Sequence, residues 1–372
     1  MIEKRKLRVA LLFGGRSTEH EVSLSSALGI YKHINKEKYE VLPVKISTSG
    51  KWTIVEPESF DSVETLIKSV GVPLLVGDSR AKGFFRIVPG SGDVQSKQII
   101  QEPVDVVFPI LHGTFGEDGT IQGLLATAGL PCVGAGVTAS AIGMDKVIMK
   151  QIFFQNDLPS TDFMWFLRKD WKNSSEVIKK GVGEEIGFPC FIKPANAGSS
   201  VGVFKAHSDS EFSELVSKSI QFDRKILVEK AIDARELECS VLGNDDPQAS
   251  VVGEIIPCNE FYDYEAKYVA NSRIEIPAKI PKKINEDIRQ MAITAFKAID
   301  CAGMGRVDFL MEKETGQIFV NEINTIPGFT PISMYPKLWE ASGTSYSELI
   351  GRLIDLAVDR WEDLNQSQFR RE

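Results

Sequence analysis

Four residues late in this 372-residue chain have the types and spacing to do charge chemistry: Arg306, Asp308, Glu322 and Asn324. Two short apolar-rich runs flank the polar segment 312–316, which contains Gly316, and this pattern predicts a β-hairpin. Side chains alternate along a strand, so Arg306 and Asp308 share a face, as do Glu322 and Asn324. Asp and Asn are poor strand formers, and facing carboxylates repel one another. A compensating positive charge is therefore expected. The all-oxygen set Asp308, Glu322 and Asn324 suits a hard cation such as Mg²⁺, completed by substrate phosphates and water. A solvated hairpin with three polar residues is the competing account of the same pattern.

Further candidates lie upstream. At residues 193–202, KPANAGSSVG, a strand runs into a loop of small residues through which backbone N–H groups can approach a phosphate, with Lys193 as a point charge. The P-loop order GxxxxGK[ST] is absent, and a flexible β-turn accounts for the loop equally simply. Glu229 ends an apolar strand, with Glu236 shortly after it. The segment 262–268, YDYEAKY, suits either a cover over a polar ligand or an aromatic surface loop. The segment 14–23, GGRSTEHEVS, follows the first apolar run, where open α/β sheets bind ligands. A carboxylate there can hold an ammonium group, while Ser17 or Thr18 can instead cap the next helix. A second Gly-rich loop, 111–119, carries His112.

The surrounding chain must supply elements to position these groups. Residues 7–13 read as a buried strand, 21–33 as a helix and 39–46 as a second strand, the opening of a βα unit. Residues 50–100 are less regular and read as hairpins and loops inserted into an α/β domain. Strand 104–111, a helix to about 128 and a helix at 144–156 follow. Strands near 160–167, 189–193, 201–206 and 225–230 then alternate with helices at 174–186 and 209–221. Paired strands at 236–242 and 249–257, a helix at 284–301, the hairpin and a last helix at 345–361 complete the chain.

Composition narrows the function classes. The length predicts two or three domains. A net charge of −8 argues against a nucleic-acid surface. The five cysteines form no CxxC pair, so neither a disulfide framework nor a zinc site is signalled. The basic residues before 7–13 superficially suggest a signal peptide, but Arg8 interrupts the run and no cleavage site follows. No run reaches the ~20 apolar residues of a membrane span. A cytoplasmic protein is expected.

In their combination and order, the segments GGRSTEHEVS, LHGTFGEDG, MDK (144–146), KPANAGSSVG, VEKAIDARELEC (228–239), YDYEAKY, GRVDF (305–309) and NEINTIPGFT (321–330) resemble the D-alanine–D-alanine ligases of the ATP-grasp superfamily. The resemblance implies an α/β chain, α+β in its later parts: a three-domain ATP-grasp fold with an N-terminal Rossmann-like parallel sheet. The expected domains are 1–143, binding substrate; 144–228, the central ATP-grasp subdomain; and 229–372, catalytic, with a lid loop at 259–275.

Roles follow by position. Asp308, Glu322 and Asn324 match the holders of two Mg²⁺ ions, for which Mn²⁺ can substitute. Lys146 and Lys193 match the lysines on the ATP phosphates, and Ser199, Ser200, Val201 and Gly202 the loop over them. Glu229, Lys230 and Ala231 match the adenine hinge, and Glu236 the ribose ligand. Many relatives carry an aromatic where Ala231 stands, so stacking on adenine is in doubt there. Glu19 matches the carboxylate that binds the first D-alanine's ammonium, with Ser199 and Tyr268 its hydrogen-bonded partners. Arg306 and the N–H of Gly328 match the oxyanion-stabilising pair. Ser333 and Met334 match contacts to the second substrate's carboxylate, Lys267 a lid lysine reaching the γ-phosphate, and His112 a substrate-side histidine. The implied reaction joins two D-alanines through D-alanyl phosphate in a homodimer, for peptidoglycan precursor synthesis. D-Alanine–D-lactate and D-alanine–D-serine ligation, and a non-catalytic nucleotide-binding role, are the alternatives.

Overall fold

A computed structural model of the protein describes residues 5–69, 71–89, 97–256 and 273–368. Among them, three sheets follow one another along the chain.

The first sheet holds β1 (Leu7–Gly14), β2 (Tyr39–Ile46), β3 (Trp52–Ile54), β4 (Val72–Val76), β5 (Gly83–Pro89), β6 (Lys97–Pro103) and β7 (Val106–Ile110), in the order β6-β5-β4-β3-β2-β1-β7. Its parallel part is the trio β2-β1-β7, whose apolar runs are buried. Helix α1 (His20–His33) crosses between β1 and β2, and α2 (Val63–Lys68) lies between β3 and β4. The irregular stretch 50–100 supplies β3 to β6, an antiparallel extension of the same sheet.

Helices α3 (Thr120–Thr127), α4 (Val137–Met144) and α5 (Lys146–Gln155) lead onward. Asp145 separates the last two: its side chain accepts the N–H groups of Val147 and Ile148, capping α5. The second sheet, β10-β9-β11-β8, is antiparallel, from β8 (Phe163–Leu167), β9 (Cys190–Pro194), β10 (Phe204–Ala206) and β11 (Lys225–Lys230). Helices α6 (Arg168–Glu185) and α7 (Asp209–Ser219) place Val182, Phe212 and Val216 in its core.

The third sheet, also antiparallel, has β12 (Ala234–Gly243), β13 (Gln248–Ile256), β14 (Arg273–Glu275), β15 (Gly303–Glu312) and β16 (Ile318–Asn324), in the order β14-β13-β12-β15-β16. Helix α8 (Lys282–Ala298) buries Ile288, Ala292, Ala295 and Phe296, spaced at helical intervals, in the same core as Val307 and Phe309 of β15. The expected hairpin is β15–β16.

Helix α9 (Met334–Ala341), unanticipated from the sequence, precedes α10 (Tyr346–Leu364). The apolar stripe of α10, Leu349, Ile350, Leu353 and Ile354, shares a core with Leu24 and Ile30 of α1 and Phe108 of β7. The last described helix thus packs against the first sheet. Phe329 is fully buried at this junction, edge-on to Phe108 and Tyr346. Burying such a ring stabilises by about 1.5–3 kcal/mol, and here it anchors the segment leaving β16 against α1.

Candidate active site

The hairpin register brings the acids together. Asp308 pairs with Glu322 and Arg306 with Asn324, and Glu238 of β12 stands opposite Asp308 on the other side. Three carboxylates therefore occupy one register position on three adjacent strands. A shift follows at once, since Phe309 pairs with Val320 and leaves Asn321 as an extra residue.

Arg306 supplies the positive charge that this cluster requires. Its guanidinium forks onto Asp308, Nε to Oδ1 and Nη2 to Oδ2, both at 2.7 Å, and Nε lies 2.9 Å from Glu238 Oε2. Burial works against the charged form, but Asp308 and Glu238 outweigh it and hold Arg306 well above the ordinary arginine range. Asn324 Nδ2 donates to Asp308 Oδ2 at 3.0 Å. Among the described residues, no three His, Cys, Asp or Glu side chains are already arranged around a metal position. The oxygens of Asp308, Glu322 and Asn324 nonetheless form a hard donor set on neighbouring strands, which fits Mg²⁺ better than zinc.

Lys146 links this sheet to the small-residue loop. Its Nζ lies 3.3 Å from Glu322 Oε2 and donates to Ala197 O at 2.9 Å. The loop is fastened by Asp223, which accepts the backbone N–H and side-chain amide of Asn196 at 2.9 and 3.0 Å. Ser199 and Ser200 both adopt left-handed backbone, with φ of 48° and 58°. The Val201 N–H returns to Gly198 O.

Lys193 and Glu229 lie on β9 and β11 and bond directly. Glu229 also meets Lys150, a buried lysine one turn beyond Lys146 on α5. Burial raises the tendency of Glu229 to protonate, but the two lysines reverse it and hold the carboxyl far below the usual range. The N–H groups of Lys230 and Ala231 bond to Asp162 O and Pro189 O, so neither is open to donate to a ligand. Glu236, on β12, is close enough to raise the proton affinity of Lys193.

At the first sheet, Glu19 precedes α1 and is buried, and Ser199 Oγ donates to its Oε1. A Cβ at Gly113 or Gly198 would lie 2.6 or 2.7 Å from Glu19 Oε2. With hydrogen alone at both positions, two loops close on that carboxylate where it stands, and a Cβ at either would displace it. His112 is buried beside it. His112 Nδ1 donates to Ile326 O at 3.0 Å, and Nε2 faces Ser26 Oγ at 3.2 Å, which also accepts the Phe329 N–H. A carbonyl only accepts, so Nδ1 carries a hydrogen, and burial favours the neutral form of the ring. Burial lowers its proton affinity, against the pull of Glu19. His112 thus ties the loop after β7 to the segment leaving β16.

That segment carries Gly328 and Ser333, which approach closely: a Cβ at Gly328 would sit 2.8 Å from Ser333 Oγ. Ser333 Oγ accepts the Thr330 N–H at 3.0 Å and stands at the N-cap of α9. The Met334 side chain packs with Ile255 and Leu338, so only its backbone is available to a ligand. Tyr268 and Lys267 lie outside the described residues.

Three groups were not singled out in the sequence. Lys150 sits in an apolar helix pattern. Glu238 is one acid in an alternating strand. Glu117 lies within the 111–119 loop, in the field of Glu19, Lys146 and Glu322; burial first, and then Glu19, push its carboxyl up to about 8. The i,i+4 spacing from Lys146 and the i,i+2 spacing from Glu236 were the available signals for the first two.

Two successive antiparallel sheets, the first leading from Lys193 into a small-residue loop and the second carrying Asp308 and Glu322, with Lys146 bridging loop and acid, fit the ATP-grasp class. Residues 8–135 match the family model for the D-Ala–D-Ala ligase N-terminus, and residues 152–355 that for its C-terminus. A D-alanine–D-alanine ligase of Acetivibrio thermocellus is 50% identical over 96% of this chain and 97% of its own. Among solved structures, the D-alanine–D-alanine ligase from Coxiella burnetii superposes with a TM-score of 0.84 at 34% identity, covering 98% of this chain and 97% of that one. The VanG D-Ala:D-Ser ligase from Enterococcus faecalis has the same TM-score at 35% identity, covering 95% and 100%. The chain belongs to the D-Ala–D-Ala ligase family.

Proposed function

We propose that this chain joins two molecules of D-alanine into D-alanyl-D-alanine, with conversion of ATP to ADP and phosphate, for peptidoglycan precursor synthesis. The observation that carries this reading is Lys146. It touches both the small-residue loop at Ala197 and the acid Glu322, placing one cation between a phosphate cradle and a donor set for divalent metal.

In this reading, Lys146, Lys193 and the loop Ser199–Ser200–Val201 bind the phosphates. Glu229, Lys230 and Ala231 form the adenine hinge, and Glu236 takes the ribose. Asp308, Glu322 and Asn324 hold Mg²⁺, which neutralises phosphate charge. Lys267 closes over the γ-phosphate from the lid. Phosphoryl transfer demands positioning and charge neutralisation above all. Glu19 binds the first D-alanine's ammonium and aims its carboxylate at the γ-phosphate; Ser199 and Tyr268 orient Glu19. The resulting D-alanyl phosphate is attacked by the second amine. Arg306 and the Gly328 N–H stabilise the oxyanion of the tetrahedral species. Ser333 and the backbone of Met334 receive the second carboxylate. His112 holds the loop beside Glu19 to the Gly328 segment through Ile326 O and Ser26.

Residues 1–143, 144–228 and 229–372 serve as the working domains, each holding most of one sheet, with β11 (Lys225–Lys230) running across the second boundary. Among the described residues no helix is long and apolar enough to cross a membrane; action in the cytoplasm is part of the same proposal. A homodimer is the expected assembly, checked by light scattering. The function is tested by phosphate release and product analysis with D-alanine, D-serine and D-lactate as second substrates. D-Alanyl-D-alanine as the dominant product is expected. D-Alanyl-D-serine would move this chain to the specificity in the name of the Enterococcus faecalis neighbour, and no substrate-dependent release would indicate a binding protein.

A further inference from the structure

Glu229 lies between two lysines of different character. Lys193 reaches its Oε1 from β9 and keeps 15% of its side chain exposed. Lys150 reaches Oε2 at 3.1 Å from α5, and both of those side chains are only 2% exposed. The Lys150 ammonium has three acceptors for its three protons: Glu229 Oε2, Ser160 Oγ at 2.9 Å and Thr161 Oγ1 at 3.0 Å. Those hydroxyls are themselves fixed, Ser160 Oγ to Val320 O at 3.0 Å and Thr161 Oγ1 to Glu229 Oε2 at 3.2 Å. One lysine is sealed in place and one can leave.

We propose that Lys150 is a positioning residue for nucleotide binding: it is the permanent counter-charge of Glu229 that lets Lys193 exchange from this carboxylate to a nucleotide phosphate. The inference rests on the nucleotide-site reading above. A buried carboxylate stripped of its partner is strongly disfavoured. With Lys150 present, the departure of Lys193 leaves Glu229 balanced and still hydrogen-bonded. With Lys150 neutral, Glu229 retains Lys193, and the phosphate must compete for it. Lys150 touches neither substrate in this scheme; it acts by setting how tightly Lys193 is held.

The test is calorimetric binding of ADP and of adenosine to the full chain and to Lys150→Gln, which keeps a hydrogen-bonding side chain but removes the charge. ADP affinity is expected to fall at least 10-fold and adenosine affinity by less than 3-fold. In turnover, KM for ATP should rise while kcat stays within 3-fold. Equal ADP affinity, or equal losses for ADP and adenosine, would overturn the inference, since a merely structural lysine does not separate the two ligands. Should Lys150→Gln not fold, Glu229→Gln alone is compared with Glu229→Gln carrying Lys150→Gln. Without the carboxylate, the second change should move ADP affinity by less than 3-fold, and a further 10-fold loss refutes the exchange. Failure of the unaltered protein to bind ADP would instead refute the nucleotide site itself.

Discussion

Asp308 and Glu322 face one another across adjacent strands at one register position, and Arg306, two residues from Asp308 on its own strand, clamps Asp308 with two 2.7 Å bonds. The same arginine touches Glu238 from the third strand. The acids proposed to hold metal and the proposed oxyanion donor are therefore one electrostatic unit.

The unit predicts the behaviour of Arg306→Ala. Loss of a preorganised oxyanion donor typically costs ~10²–10³ in rate, so kcat should fall by about two orders of magnitude while ADP binds within a few-fold of the unaltered protein. Near-normal turnover would remove Arg306 from the reaction. Arg306→Lys should recover little, because an ammonium cannot fork onto Asp308.

Gly198→Ala tests the closure around Glu19. The added methyl meets Glu19 Oε2 at 2.7 Å, displacing the carboxylate assigned to the substrate ammonium. KM for D-alanine should rise by about 10-fold or more, with ADP affinity little changed. An unaltered KM would mean that Glu19 is not at the substrate position.

The raised proton affinity of Glu117 gives a stability signature in metal- and nucleotide-free protein. Its folded-state value is about 8, against an ordinary 4.5. Between those limits the folded chain holds a proton that the unfolded chain releases, so stability is lost as pH rises through this window. Glu117→Gln mimics the protonated form. Its stability relative to the unaltered chain should grow by up to about 4 kcal/mol from pH 5 to pH 9, measured by denaturant melts. A flat difference would disprove the assignment.

His112 has the opposite sign. Burial lowers its proton affinity below the ordinary 6.5, so the unfolded chain gains a proton first as pH falls. The stability held by neutral His112 is complete above about 6.5 and declines below it. His112→Gln should be less stable by about 1–3 kcal/mol at pH 7.5, because Ile326 O and Ser26 lose their partner. The gap should narrow by pH 5.5. A gap that widens at low pH would contradict the neutral tautomer.

Local chemistry was legible in the chain itself. The alternation around Asp308 and Glu322, the glycine between them and the small-residue loop after Lys193 predict a hairpin and a cradle, because strand parity and turn preferences are properties of neighbouring residues. The helical spacing of α8 and the apolar runs of β1, β2 and β7 are local in the same sense. Which strands adjoin is not. Glu238 became a partner of Arg306 only when β12 took its place beside β15. Lys150 became a partner of Glu229 only when α5 packed beneath β11, 79 positions further along by residue number. His112 reaches Ile326 across 214 positions. Helix α9, short and opened by Ser333 within a Pro-rich stretch, offers little periodicity to read. Residue types and spacing determined the kinds of charge this protein carries and the elements that bear them. Their pairing, and therefore which lysine is sealed and which can move, was decided by long-range packing, because burial and Coulomb energy depend on distance in space and not along the chain.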